Sequence, residues 1–232
     1  MRGGALAALL AIWGFAAPAE TIRAADYAAP TGRYPHGALG DDHEWGALVL
    51  SLGDQQRRFS LPDELVFEDT APRLADLGGD GAPEVIVVES HSTQGARLAV
   101  WGPEGRIAAT PYLGTRFRWL APLGAADLDG DGTVEIAYVE TPHLGRTLRL
   151  VRLEGDRLVP LAAQPGLTNH RFGDPQIQGG IALCPGGPVI VTADAGWLRI
   201  VHTRWQDGRL TAEDAGAYTG PDSLAPDRAC QR

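Results

Sequence analysis

The sequence predicts an all-β chain: a small β-propeller of about four four-stranded blades, preceded by a signal peptide. Three observations carry this reading. A pattern recurs about every 50 residues, short β-branched runs are bounded by Gly and Pro, and no helical period is sustained beyond the first 20 residues.

The recurring pattern is a Gly-led apolar run. GARLAVW at 95–101 matches GRTLRLV at 145–151 and GWLRIV at 196–201, with GALVLSL at 46–52 as an upstream copy. Leu98, Leu148 and Leu198 fall in register. A β-branched run precedes each of the three later copies: EVIVVES at 84–90, EIAYVET at 135–141 and PVIVTAD at 188–194. A third strand follows each copy, at 57–61, 106–109, 157–161 and 209–212. A more irregular strand is expected upstream, around 72–76, 120–127 and 173–178. A unit of four short strands cannot bury its own apolar faces, but units packed radially can. The units are placed at 27–65, 66–115, 116–165 and 166–215 of a domain spanning 20–232. The tail at 216–232 is expected to close the ring, with 215–218 pairing with the first unit. An open arc of four sheets or a β-sandwich stays open as an alternative.

Composition narrows the function. Acidic side chains number 29 and basic ones 20, for a formal net charge of −9. That balance excludes general binding to nucleic acid or anionic membranes. Every basic residue is Arg, so Schiff-base chemistry and Lys-dependent phosphate loops are excluded as well.

The N-terminus reads as an export signal. Arg2 is followed by an almost wholly apolar run at 5–17, and small residues Ala17 and Ala19 place cleavage after Ala19. An uncleaved anchor is the alternative. No second run of spanning length follows, so a monomer in the periplasm or secreted is expected. Cys184 and Cys230 are the two cysteines. An oxidising compartment and an even count suit one bridge, which closes a loop of 46 residues and ties down the tail.

Two acidic loops are candidate metal sites, with an Asp/Gly turn holding no metal as the alternative. In DLDGDGTVE at 127–135, carboxylates stand at positions 1, 3, 5 and 9 with Gly at 6. Calcium takes about six to eight hard oxygen ligands. Asp127, Asp129, Asp131 and Glu135 supply most of them, and the Thr133 carbonyl one more. The loop one unit earlier, DLGGDGAPE at 76–84, offers Asp76, Asp80, the Ala82 carbonyl and Glu84, with Gly78 where the second carboxylate would be. The acid at position 9, followed by a strand, distinguishes both loops from an EF-hand. In the fourth unit these acids are absent from 176–188, and Cys184 lies there instead.

The pattern Asp-x-Asp-x-Asp-Gly-x-x-Glu, then an apolar strand, then a Gly-led Leu-x-Val, resembles the FG-GAP/VCBS repeat family over roughly 66–153. The resemblance implies a calcium-stabilised propeller used for adhesion or ligand display, occasionally attached to an enzyme. It maps Asp127, Asp129, Asp131, Glu135, Asp76, Asp80 and Glu84 onto the family's metal ligands.

Antiparallel strands reverse direction, so the next loops of each unit belong at the other end of the ring. Polar and aromatic residues recur there. The candidate ligand residues are Glu89, Arg116, Arg118, Trp119, Glu140, His143, His170 and Arg171, with Arg and His meeting an anionic or sugar-like ligand and Trp119 stacking on a sugar. Ordinary loop polarity and salt bridges between blades are the competing explanation. The expected function is an exported binding or interaction module for a protein or glycan. The alternative is a hydrolase or lyase acting on a carbohydrate or phosphoester at the same face. No serine elbow, zinc-type His-Glu-x-x-His or phosphate loop is present.

Overall fold

The computed structural model describes residues 21–230. The expected signal segment, with cleavage after Ala19, lies outside the described residues. The chain is almost entirely β. Unit 1 contains β1 (Ile22–Thr31), β2 (Glu44–Leu52) and β3 (Gln55–Ser60). Unit 2 contains β4 (Leu65–Phe67), β5 (Arg73–Ala75), β6 (Glu84–His91), β7 (Gly95–Gly102) and β8 (Gly105–Ala109). Unit 3 is a meander of β9 (Leu120–Ala126), β10 (Glu135–Glu140), β11 (Thr147–Glu154) and β12 (Arg157–Pro165). Unit 4 contains β13 (Leu167–Thr168), β14 (Gly180–Cys184), β15 (Gly187–Asp194), β16 (Arg199–Gln206) and β17 (Arg209–Ala217). A 3-10 turn (Pro221–Leu224) and the short α1 (Pro226–Ala229) follow. Among the described residues, no helix is long and apolar enough to cross a membrane.

All strand pairs are antiparallel. In unit 2 the first strand is split, with β4 and β5 pairing with opposite halves of β6. Unit 4 repeats this, β13 and β14 both pairing with β15. Units 1 and 2 form one sheet because β4 also pairs with β2, at Trp45 and Phe67.

Three apolar layers lie between successive units in chain order and a fourth lies between unit 4 and the tail, and strand periodicity explains them. Side chains alternate across a strand, so a strand buried on both faces feeds two cores. Val85 and Val87 of β6 enter the core shared with unit 1, while Ile86 and Val88 enter the core shared with unit 3. In β10, Ile136 and Tyr138 face unit 2, while Ala137 and Val139 face unit 4. The outer face of unit 4 (Val189, Val191, Ala193) is covered by Leu224 and Ala229 of the tail. The Cys184–Cys230 disulfide pins that cover.

The structure corrects four expectations. The strand β1 is absent from the sequence reading, because IRAADYAAPT has poor strand composition. It pairs with β2 from Ile22 to Thr31, and partner strand overrides local propensity. The segment 173–178 is not a strand: Pro175 lacks an N–H, and the pairing shifts to β14. Cys184 therefore ends a strand and does not sit in a long loop. Residues 215–218 do not pair with unit 1. Ala217 pairs with Arg199, and Tyr218 N–H donates to the Leu198 carbonyl at 2.9 Å, both within unit 4. Unit 1 instead reaches unit 4 through its 32–43 connection, where Gly173 N–H donates to the Ala38 carbonyl at 2.8 Å. A side chain at Gly40 (φ 80°) would place its Cβ 2.4 Å from the Gly173 carbonyl oxygen, so only glycine permits this approach.

Candidate functional site

Loops of units 1, 3 and 4 converge at the end of β10 that carries Glu140. The chain leaves β10 through Thr141 (φ 45°) and returns at Arg146 (φ 49°), both in the left-handed region that costs non-glycine residues energy. This turn presents Pro142, His143 and Arg146. Opposite it stand His170, Arg171 and Phe172, which follow β13, and Trp197 (φ 58°) between β15 and β16. These seven residues line a cavity of about 240 Å³.

The two histidines are held in one protonation pattern. His170 Nε2 lies 2.8 Å from the Asp174 carbonyl, which only accepts, so Nε2 carries the proton. His170 Nδ1 is then an acceptor, and His143 Nε2, 2.8 Å away, donates to it. That leaves His143 Nδ1 as an unprotonated acceptor. Burial, then the neighbouring His170, His36 and Arg146, pushes the His143 pKa down to about 4. Burial also lowers His170, which is 1% exposed.

The sign of the resulting pH dependence is definite. Unfolded His143 takes up a proton below about 6.5, and the folded residue does so only near 4, so the unfolded state binds more protons in between. Stability falls as pH drops from 6.5 to 4. In His143→Asn that contribution is absent, and urea midpoints of the two proteins should diverge in slope over this window. Parallel slopes would overturn the assignment.

Trp119 packs against the pair, stacked on His143 at a centroid distance of 6.0 Å and edge-on to His170 at 4.9 Å. It is 2% exposed and donates Nε1–H to the Glu68 carbonyl at 2.8 Å, so it supports the histidines and offers no face to a sugar. A second cluster adjoins it. His36 Nδ1 lies 2.5 Å from buried Glu68, which also accepts the Ser90 hydroxyl. His36 stacks on Phe117 at 4.9 Å and meets Phe172 edge-on at 5.8 Å. Buried Glu44 nearby is pushed up to about 10, by burial first and then by Glu68, Asp41 and Asp69.

Other expected ligand residues lie elsewhere. Glu89 is fully buried, where it accepts Trp101 Nε1–H at 2.9 Å and pairs with Arg97 at 2.5 Å and Arg106 at 3.2 Å. Glu140 is paired with Arg149 at 2.8 Å and lines a separate cleft with Tyr112 and Tyr138. Arg116 lies over the Phe117 ring at 4.4 Å, outside the His143 cavity. Arg118 contributes its carbonyl to Ala96 N–H and does not line that cavity. Sequence reasoning missed Arg146, Phe172 and Trp197. The Phe-Gly at 172–173 was the available signal for one of them.

At the other end of β10, roughly 17 Å away at strand rise, lie the acidic loops. They have the same internal bonding. Asp76 Oδ2 accepts Gly81 N–H at 2.9 Å, as Asp127 Oδ2 accepts Gly132 N–H at 2.9 Å. Glu84 Oε2 accepts Leu77 N–H at 2.9 Å, as Glu135 Oε2 accepts Leu128 N–H at 2.9 Å. Asp80 caps Ala82 N–H at 2.9 Å, as Asp131 caps Thr133 N–H at 2.7 Å. Gly132 (φ 87°) permits the curl.

Residues 76–138 match the FG-GAP-like repeat. The match spans both acidic loops and the strands β6 to β9, and ends within β10. Within this FG-GAP-like repeat segment the loops differ in metal-ligating potential. Asp127, Asp129 and Glu135 bring carboxylate oxygens within 4.8 Å of one another, the one such group among the described residues. Asp131 stands outside this trio, 2.9 Å from Arg152 Nη2, and Arg152 also bonds Glu135. Burial raises the Glu135 pKa, and the Leu128 amide and Arg152 oppose that shift. The hard oxygen donors of the trio, held in a curled loop, fit a calcium-class cation. In the earlier repeat loop Gly78 leaves Asp76, Asp80 and Glu84 without a comparable gathering.

No curated protein sequence matches the chain. Solved structures similar to it include two rhamnogalacturonan lyases. The crystal structure of rhamnogalacturonan lyase YesW shares 15% identity at a TM-score of 0.41, covering 80% of this chain and 45% of that one. The Bacillus licheniformis rhamnogalacturonan lyase PL11 shares 16% identity at 0.42, covering 77% and 44%. The chain thus spans less than half the length of either.

Proposed function

We propose that this chain is an exported, calcium-stabilised four-unit propeller that acts as a monomeric binding module, with its ligand seated at the His143–Arg171 cavity. The observation that supports it most is the charge of that cavity. Arg146 and Arg171 line it without any Asp or Glu, in a protein of net charge −9. The three cores between successive units support the propeller, with the 32–43 connection joining its first and last units. The disulfide fits an oxidising periplasmic or extracellular setting.

Binding is preferred to hydrolase or lyase chemistry on physical grounds. General acid–base catalysis works best with a group that titrates near the working pH. Here His143 is held near 4, and Glu89 and Glu140 are tied to arginines. The direct test is a glycan and protein array probed with the mature protein beside Phe172→Ala. Phe172 is 61% exposed and its described contacts are edge contacts with His36 and His143, so its replacement is expected to cost the fold little, which the Tm of the variant checks. A binder lost in Phe172→Ala supports the cavity reading, and a binder indifferent to it overturns that reading.

The calcium part has its own test. A ligand that binds only the native state at about 100 times its Kd adds about 2.7 kcal/mol. For a domain of this size that raises Tm by about 5–10 °C. The rise should appear when calcium is titrated into EDTA-treated protein. It should vanish in Asp129→Ala and persist in Asp80→Ala. No shift at millimolar calcium would make both loops plain hydrogen-bonded turns.

A further inference from the structure

We infer that the ligand of the His143–Arg171 cavity is a sugar acid, a hydroxylated ring bearing a carboxylate. The inference rests on the binding reading above and gives it a chemical class.

Three features of the cavity define that chemistry. The first is a pair of guanidinium groups prepared for an anion. Arg171 lies over the Trp197 ring at 4.5 Å and near the Tyr218 ring at 5.4 Å. Stacking holds a guanidinium by its face and leaves its in-plane N–H donors free. Among the described residues no carboxylate pairs with Arg171 or Arg146, although Arg149 and Arg199, and Arg152 at the far end of β10, are each salt-bridged. Arg146 donates Nη1–H to the Ala195 carbonyl at 2.9 Å, while its Nε is buried with no hydrogen-bond partner. A buried, unpaired donor on a charged group is costly, and a planar anion relieves that cost.

The second feature is a neutral acceptor. Both His143 and His170 are committed to the tautomers derived above, so His143 presents Nδ1 without a proton. A hydroxyl donates to such a nitrogen, and an unprotonated carboxylate or phosphate oxygen cannot. The third is an apolar wall. Phe172 stands 61% exposed on the rim, in edge contact with His143 at 5.4 Å. Its free surface suits the C–H face of a sugar ring. Charge, hydroxyl acceptor and apolar wall together describe a ring carrying both carboxylate and hydroxyls. The remaining wall, Pro142, adds no charge.

The wall is also rigid. Tyr218 donates its hydroxyl to Gln178 Oε1 at 3.0 Å, and Gln178 in turn bonds Asp174 at 3.1 Å. The loop carrying His170, Arg171 and Phe172 is thereby fastened to the disulfide-pinned tail.

The experiment is calorimetric titration of the mature protein with glucuronate, galacturonate and mannuronate, each beside its parent hexose, and with hexose 6-phosphate and acetate as anion controls. The expected result is that at least one uronate binds and its hexose does not, with affinity falling as salt is raised. Arg171→Met should weaken that binding by roughly 10- to 100-fold. Among the described residues the Arg171 side chain makes ring contacts and no hydrogen bond, and its carbonyl bond to Asp174 N–H is kept in the variant, so Arg171→Met should stay close to the wild-type Tm, and Phe172→Ala serves as an independent second variant. Equal binding of hexose and uronate overturns the sugar-acid class and leaves the cavity reading standing. Preference for hexose phosphate or acetate over uronate also overturns it and makes the cavity a general anion site. No binding of any probe at 10-fold above about 1 mM overturns the class. A binder from the array, lost in Phe172→Ala, would then be what keeps the broader reading.

Discussion

Glu89→Ala is expected to destabilise the fold by about 3–5 kcal/mol, the cost of leaving a buried ion without its partner. Glu89 is fully buried and serves three groups at once, Arg97, Arg106 and Trp101. Removing it strands the Arg97 guanidinium, which is itself largely buried over the Tyr112 ring at 4.3 Å. At about 2–4 °C per kcal/mol for a domain of this size, Tm should fall by roughly 6–20 °C. Glu89→Gln keeps the shape and the Trp101 acceptor while removing the charge, and should fall between wild type and alanine. Urea unfolding of the three proteins measures the effect. A loss below about 1 kcal/mol in the alanine variant would mean that water reaches the cluster and screens it. Because Glu89 sits in the unit 1–unit 2 sheet and not at the cavity, ligand binding by folded Glu89→Gln should be unchanged.

Removing the Cys184–Cys230 bridge should cost about 4 kcal/mol by loop-closure entropy for 46 residues. The expected consequence is local as well as global. Leu224 and Ala229 cover the outer face of unit 4, and without the bridge this short tail is anchored only by their burial and by Tyr218. Hydrogen exchange in Cys184→Ala/Cys230→Ala should therefore rise first at 218–230 and at β14. Trypsin should gain access to the peptide bond after Arg228. Loosening of Tyr218 also releases one of the two rings behind Arg171, so ligand affinity should fall with tail protection. A variant that unfolds at the wild-type urea midpoint would show that apolar contact alone holds the tail.

Local patterning and tertiary packing left separate marks on this protein. The acidic loops were legible because their carboxylates lie within nine consecutive positions, and chain geometry alone brings them into one curl. The Gly-led strands of units 2 to 4 and the β-branched strands before them were legible because alternation and Gly-led starts are properties of neighbouring residues. The bridge followed from there being two cysteines in a chain expected to be exported.

What sequence could not show is what side chains meet across units. His36 and Glu68 are 32 residues apart, and His143 and His170 are 27 apart. Such pairs depend on how the loops cross, and no local period records that. Glu89 looked like a loop-end ligand because it closes an apolar strand, yet its strand lies between two cores, so its charge had to be met by Arg97 and Arg106. Trp119 looked like a stacking surface and became the floor under two histidines, because its indole N–H found the Glu68 carbonyl. The strand β1 had no signal of its own and formed because β2 offered it an edge. By itself the sequence determined the repeat, the strand faces and the acidic curl, all set by residues a few positions apart. Only the tertiary structure decided which arginines are paired and which remain available at the cavity, because that depends on carboxylates brought near from distant parts of the chain.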